Sequence, residues 1–301
     1  MNTLPPSPQL PDDDESIPAF DRDFGKRALD ELYFLTSRYR QRDSLLALMQ
    51  FVSRFRRYSP YNAMLVHIQK PGAKYVSPAS RWLKDYGRQI MPHAQAIVIL
   101  QPMGPVMFVF DVSETEGRSL PQEIENPFQF IARQSVVSEL DRTISNAVRD
   151  GIRVHRRPYG SLQAGQIGHA TAQTVKMKFR EQTVPLRYDL VLHSGHEPAQ
   201  QYGTLVHELA HLYCGHQGTP NSKWWPDRRN LSKDTREFEA ESVAYLVCQR
   251  LGLDIYSEKY LSGYLGDKAE PPPVSLELIF KAAGLIEQMG RDNLTLRKLA
   301  A

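Results

Sequence analysis

The segment TLVHELAHLYCGH, residues 204–216, holds His207, Glu208 and His211 within one short apolar run, together with His216. Helical side chains four apart lie one above the other on the same face, so His207 and His211 can reach one ion. His-Glu-Leu-Ala-His has the H-E-x-x-H spacing of a zinc site. Glu208 projects about 100° round the helix from His207, beside the metal rather than on it. From there a carboxylate can take a proton from an attacking water and pass it to a leaving amine.

A catalytic zinc needs a third protein ligand and an open fourth position. Six residues after His211 stands Gln217, which cannot serve as a histidine would, and on a continued helix His216 points to the far side. A second acid-bearing helix is the next place to look. Residues 235–248, TREFEAESVAYLVC, carry Glu237 and Glu241 four apart, with Ala244 and Cys248 on the same face. Glu237 can bind the metal, and Glu241, one turn on, can accept the outer N–H of a ligand histidine. Small Ala244 lets that face approach the first helix. Glu239 points about 160° away and is expected to be solvated. Cys214 is read as a small buried hydrophobe rather than a ligand.

These pieces need a scaffold, and the chain is long enough to build one. It has 301 residues, 41% hydrophobic and 24% charged, which allows one large domain or two modest ones. No apolar run is long enough for a membrane span. The start, MNTLPPSPQLPDDDESIP, lacks the basic and apolar regions of a signal peptide and reads as a disordered tail over 1–20. Two scattered cysteines, Cys214 and Cys248, suggest a reducing, cytoplasmic setting rather than a disulfide framework.

Periodicity predicts one or two helices over 26–57, broken near Pro60. AIVIL (96–100) and VMFVFDV (106–112) form a hairpin pattern. A linker follows, then a helix over 134–150. IRVHRRP, TVKMKF and LRYDLVLH alternate as three strands. Helices are expected over Pro198–Cys214, stopped by Gly215, and over Asp234–Leu251, stopped by Gly252. The remainder is mostly helical, interrupted by prolines 271–273.

Charge is uneven along the chain. Residues 26–92 carry thirteen lysines and arginines against four acids, a net charge of +9, whereas the first 24 residues carry −5. Arginines mix there with aromatics: Arg54, Arg56, Arg57 and Tyr61 in one stretch, Trp82, Lys84 and Arg88 in another. Phosphates need cations and unpaired bases need flat side chains, so these seven are the candidate nucleic-acid contacts. On composition alone, a solvated basic face with its aromatics in the core is the plainer reading.

HELAH followed by EFEAESVAYL resembles the ImmA/IrrE group of gluzincin-type metallopeptidases. YSPYNAMLVHIQKPGAKYV, RWLKDYGRQI and above all VFDVSETEG (109–117) are similar to the ArdC-type antirestriction proteins, as are YLSGYL and LIFKAAGLIEQM further on. The resemblance runs from about residue 54 onward. It implies zinc on His207, His211 and Glu237, Glu208 as the catalytic glutamate, a single-stranded-DNA-binding first domain, and antirestriction or mobile-element biology. Where the family tends to a basic, glycine-containing turn, this chain has IMPHAQ (90–95).

The expected fold is α+β: a small basic α+β domain over 21–125, then a zincin-like, gluzincin-type metallopeptidase domain over 126–301. The expected cofactor is Zn²⁺. The expected partners are single-stranded DNA and an unidentified protein or peptide substrate, with no membrane. Alternatives are a non-catalytic DNA-binding protector with a structural zinc, or a regulatory peptidase that cleaves a repressor. An acidic DNA mimic is disfavoured, because the candidate binding half is basic.

Overall fold

The computed structural model describes residues 39–101, 106–121, 124, 132–133, 135–158, 165–171, 175–253, 255 and 270–297. The tail over 1–20, residues 26–38 of the helical stretch expected over 26–57, the linker over 126–131 and YLSGYL lie outside the described residues. Helices and strands are mixed, consistent with an α+β chain.

Helix α1 (Arg42–Arg54) buries Leu45, Leu48, Met49 and Val52, the apolar stripe of a 3.6-residue period. Pro60 does more than break it. It is the first residue of α2 (Pro60–Gln69), where a missing N–H costs nothing, and Ser59 caps that helix on the Asn62 N–H. Then come β1 (Val76–Ser77), α3 (Ala79–Tyr86), β2 (Arg88–Ile90), β3 (Ile97–Ile99), β4 (Met107–Asp111) and β5 (Thr115–Gly117). β1, β4 and β3 form one antiparallel sheet in that order, and β2 pairs with β5. The expected hairpin is β3–β4, with Ile97 opposite Val109.

Helix α4 (Val137–Ala147) leads into β6 (Ile152–Arg157), β7 (Gly165–His169), β8 (Lys176–Phe179), β9 (Gln182–Pro185) and β10 (Tyr188–His193). β6 runs parallel to the central β10, and β7 pairs antiparallel on its other side. Among the described residues β8 pairs only with β9, so two of the three alternating runs share a sheet and the third belongs to a separate hairpin. Helices α5 (Pro198–Tyr213), α6 (Lys233–Leu251) and α7 (Leu276–Arg291) complete the chain.

One buried cluster runs from Tyr39 through α1, α2, α5, α6 and α7 to Leu294. Residue 125 therefore marks no gap in the packing among the described residues. Arginines tie the halves together. Arg250, near the end of α6, donates to the carbonyls of Val52, Phe55 and Tyr58 at 2.7–2.8 Å, while Arg56 Nη2 donates to Gln249 O at 2.9 Å. These bonds satisfy carbonyls left over at two helix ends. A smaller cluster gathers Tyr75, Trp82 and Ile124 under α3. No described helix is long and apolar enough to cross a membrane.

Candidate metal centre

Helix α5 begins on a capping box, in which the Glu197 side chain accepts from the first turn and the Gln200 side chain accepts from the Glu197 N–H. Leu205, Val206, Leu209, Ala210 and Leu212 sink into the core, which turns His207 and His211 towards α6. Edge strand β7 flanks the other side. Between them lies a cleft of about 650 Å³ lined by Gly165, Gln166, Ile167, His207, Glu208, His211, Gln217, Lys233, Arg236 and Glu237.

His207 Nε2 and His211 Nε2 stand 3.1 Å apart, and Glu237 Oε2 lies 3.6 Å from each. Donor atoms on a tetrahedron with zinc bonds of about 2.0–2.2 Å are roughly 3.3–3.6 Å from one another. Two imidazoles and one carboxylate at these separations fit one such ion, with the cleft on the open side. His207 Nδ1 is 3.3 Å from Glu241 Oε1. Glu237 and Glu241 both face His207, as helix spacing predicts.

The electrostatics follow from this crowding. Burial pulls the His207 imidazolium down, but bonds to Glu237 and Glu241 outweigh it and push its pKa to about 10. Hydrogen bonds with His207 and His211 hold the Glu237 carboxyl well below the usual carboxylate range, against burial. Glu208 behaves in the opposite way. It is buried beside the same cleft, and burial pushes its carboxyl up, opposed by the charges of His207 and His211 and by the Ile167 N–H that it accepts.

Two expectations for this region are corrected. Glu239 is not solvated but fully buried. Its carboxylate accepts both arms of Arg228 (2.7 and 2.8 Å), the Ser275 N–H (2.7 Å) and a contact from His216 Nε2 (2.8 Å). The helical angle was right about direction; the far face of α6 meets α7 and a loop rather than water. His216 does not continue the helix either, and it stays beside His211. Helix α5 stops at Tyr213, and Gly215 takes φ +84°, where any Cβ would lie 2.2 Å from Pro226 O. The His216 N–H then reaches back to His211 O and the Gly215 N–H to Leu212 O, each at 2.9 Å, a Schellman motif. The reversal brings His216 Nδ1 to 3.0 Å from His211 Nδ1.

The candidate nucleic-acid residues do not converge in this way. Trp82 is fully buried, with its indole N–H donating to Phe110 O at 2.9 Å, and offers no ring face to a base. Arg56 is held by Gln249. Arg88 donates to Thr115 Oγ1 at 2.8 Å and to Arg118 O at 2.7 Å, bracing the β2–β5 pair. Tyr61 is half-buried against the main core beneath Lys281 Nζ, 5.6 Å from its ring centre. Arg54, Arg57 and Lys84 are exposed, and the Arg57 guanidinium sits 4.5 Å over the Tyr75 ring. Sequence reasoning passed over Lys233 and Arg236, although their distance of four and one residues before Glu237 puts them on its side of α6. Arg228 lies in a loop and carried no such signal.

Residues 149–248 match the family described as IrrE N-terminal-like domain, a peptidase family. That span contains β6 to β10, α5 and most of α6, and so both helices of the cleft. The chain is similar to ArdC-type antirestriction proteins that carry an ImmA/IrrE-like domain. An uncharacterised protein of Bacillus anthracis is 22% identical over 266 residues, covering 73% of this chain and 42% of that protein. This chain thus spans about two-fifths of the curated relative's length, 42%. Among solved structures, the metal-free crystal structure of the antirestriction protein ArdC from the R388 plasmid is similar at TM-score 0.34 and 18% identity, over 77% of this chain and 82% of that one.

Proposed function

We propose that this chain is a zinc-dependent metallopeptidase-like protein whose centre is His207, His211 and Glu237, with Glu208 as the proton-transferring group. The observation that carries the reading is convergence. Three donor atoms from two helices lie within 3.1–3.6 Å of one another, and a buried glutamate lines the same cleft. Bound there, zinc would supply Lewis-acid polarisation of a carbonyl and a water of lowered pKa. His207 and His211 would present Nε2 lone pairs, with Glu241 accepting the His207 Nδ1–H and fixing its ring. Glu208, its carboxyl raised by burial, would accept a proton from the attacking water and return it to the departing amine nitrogen. Exposed Lys233 and half-buried Arg236 add positive charge at the rim. The Arg236 Nε is buried without a hydrogen-bond partner among the described residues. Substrates with a carboxylate near the scissile bond would complete it.

The test combines metal analysis with one isosteric substitution. The purified chain should hold about one zinc. Glu208→Gln should fold, keep that zinc, and lose roughly 10²–10⁴ in cleavage of a proteome-derived peptide library. Wild-type cleavage sites should be enriched in Asp and Glu. A chain that is metal-free after expression in zinc, and whose melting is indifferent to chelator, overturns the centre. Cleavage by Glu208→Gln at the wild-type rate overturns the role of Glu208.

A second reading, binding of single-stranded nucleic acid by the basic first half, is favoured by the exposure of Arg54, Arg57 and Lys84. The sequence resemblance to ArdC-type proteins adds antirestriction as its biological setting. A restriction-protection assay separates the readings. Protection retained by Glu208→Gln but lost on reversing Arg54, Arg57 and Lys84 supports a binding protector. The opposite pattern supports proteolysis.

A further inference from the structure

Behind His211, on the side away from the cleft, lies a row of polar groups in an otherwise apolar interior. His211 Nδ1 meets His216 Nδ1 at 3.0 Å, and His216 Nε2 meets Glu239 Oε2 at 2.8 Å. Arg228 grips the same carboxylate through both oxygens and also donates to Cys214 O at 3.1 Å, the first carbonyl past α5. Ser275, which caps α7, adds its N–H to Glu239 at 2.7 Å. His216 and Glu239 have no exposed side-chain surface.

The proton positions along this row follow from the far end. Arg228 donates to both Glu239 oxygens and the Ser275 N–H donates to one of them, so the buried carboxyl is surrounded by donors. It is therefore an ionised acceptor at neutral pH, and His216 Nε2 must carry the hydrogen between them. Arg228 already supplies the positive charge that pairs with this carboxylate, so His216 donates a single hydrogen and its Nδ1 is a lone pair. Two ring nitrogens 3.0 Å apart need one donor, so His211 Nδ1 carries the hydrogen. His211 Nε2 is then the nitrogen that faces His207 and Glu237, and it would offer its lone pair to a metal entering there. The nearby Cys214, His216 and Glu239 could also be taken for a second metal site. The carboxylate's lone pairs are already committed to Arg228, Ser275 and His216, and burial pushes the Cys214 thiol well up, away from the thiolate a metal requires.

We propose that His216 is a positioning residue for His211: an imidazole relay, anchored on the Glu239–Arg228 pair, that fixes the His211 tautomer and ring plane and so holds its Nε2 ready for the metal. The inference rests on His207, His211 and Glu237 being the ligands. It assigns a role to a residue outside the H-E-x-x-H pattern and explains why the chain spends a left-handed glycine to bring it there. The two ligand histidines are then held differently, His207 directly by a carboxylate and His211 through a second ring.

Two substitutions in the full chain test this. His216→Met keeps the volume and removes both the acceptor and the donor. His216→Gln restores both, because an amide separates its oxygen and nitrogen by nearly the spacing of the two ring nitrogens. Zinc affinity, read by competition with a chelating dye, should fall about 10–100-fold in His216→Met and return to within about threefold of wild type in His216→Gln. Nitrogen-15 spectra of the metal-free protein should show His211 protonated at Nδ1 in wild type and His216→Gln, and a mixture of tautomers in His216→Met. The stoichiometry should stay at one zinc throughout. A folded His216→Met with wild-type affinity, His216→Gln as weak as Met, or two zincs per wild-type chain falling to one in His216→Met each overturns the relay. If His216→Met does not fold, His216→Gln decides alone, since a tenfold loss there is incompatible with the proposal. A wild-type chain without zinc would instead overturn the ligand assignment, and the His211 tautomer in the metal-free spectra would still judge the relay.

Discussion

The α5–α6 cleft and the basic first half are built from similar side chains used in opposite ways. In the cleft, His207, His211 and Glu237 turn towards one another across a gap that backbone groups do not fill. In the first half, cations and rings are spent on the fold: Trp82 on Phe110, Arg56 on Gln249, Arg88 on Thr115 and Arg118. Strict spacing on a regular helix fixes which side chains share a face, whatever surrounds them. A mixture of arginine and tryptophan fixes no direction, and an indole with no exposed surface is worth more to the core than to a ligand. The polar groups that remain available, not the number present, mark a site.

The largest effect should come from Trp82→Ala. Removing a fully buried indole and its bond to Phe110 should cost about 3–5 kcal/mol in denaturant unfolding. Glu237→Ala, at the partly exposed mouth of the cleft, should abolish zinc binding while the metal-free chain still unfolds cooperatively. The pair contrasts a residue that holds the fold with one that holds a ligand. A Trp82→Ala chain as stable as wild type that no longer retards a labelled oligonucleotide would return Trp82 to the binding surface and break the contrast.

A smaller effect concerns protons. Zinc takes neutral imidazoles. In the metal-free chain Glu237 and Glu241 hold His207 charged up to a pKa of about 10, so at pH 7 the entering metal must expel that proton. The sign is fixed: protonated His207 competes with zinc, and apparent affinity should rise with pH, by about tenfold per unit from this group, until pH passes about 10. Calorimetry in two buffers of different ionisation enthalpy should find about one proton released per zinc at pH 7. No release would mean that the acids do not grip His207 as described.

Legibility divides along the same line. The β3–β4 hairpin, α4, α5 and α6 could be read because each has a clean period and a stop, such as Gly252 after Leu251. Strand β7, GQIGH, could not: two glycines and one buried residue give no alternation, and it is a strand because β10 offers it an edge. The faces of Glu237 and Glu241 followed from helix angles. The surroundings of Glu239 did not, because the partners that bury its carboxylate, Arg228 and Ser275, come from a loop and another helix start, 11 and 36 residues away in sequence. His216 was misplaced for a local reason. The helix was extended one turn too far, past a Gly215 already recognised as its stop, and the reversal that a left-handed glycine imposes was not followed through.

The smallest and most diagnostic change tests what is left of the basic surface. Arg54 closes α1, Arg57 lies over Tyr75, and Lys84 stands on α3, whose Trp82 and Tyr86 pack against that same tyrosine. If these cations meet phosphates, each contact should contribute roughly 0.7 to the slope of log affinity against log salt for a single strand. Reversing all three to glutamate in the full chain should flatten that slope by up to about 2 while leaving zinc content unchanged. Arg56→Ala should do the reverse, lowering stability through its lost bond to Gln249 with little change in slope. A triple reversal that binds oligonucleotide with the wild-type salt slope would place the contacts elsewhere. Failure of the wild-type chain to shift a labelled single strand at low salt would remove the nucleic-acid reading and leave the cleft as the candidate site argued for among the described residues.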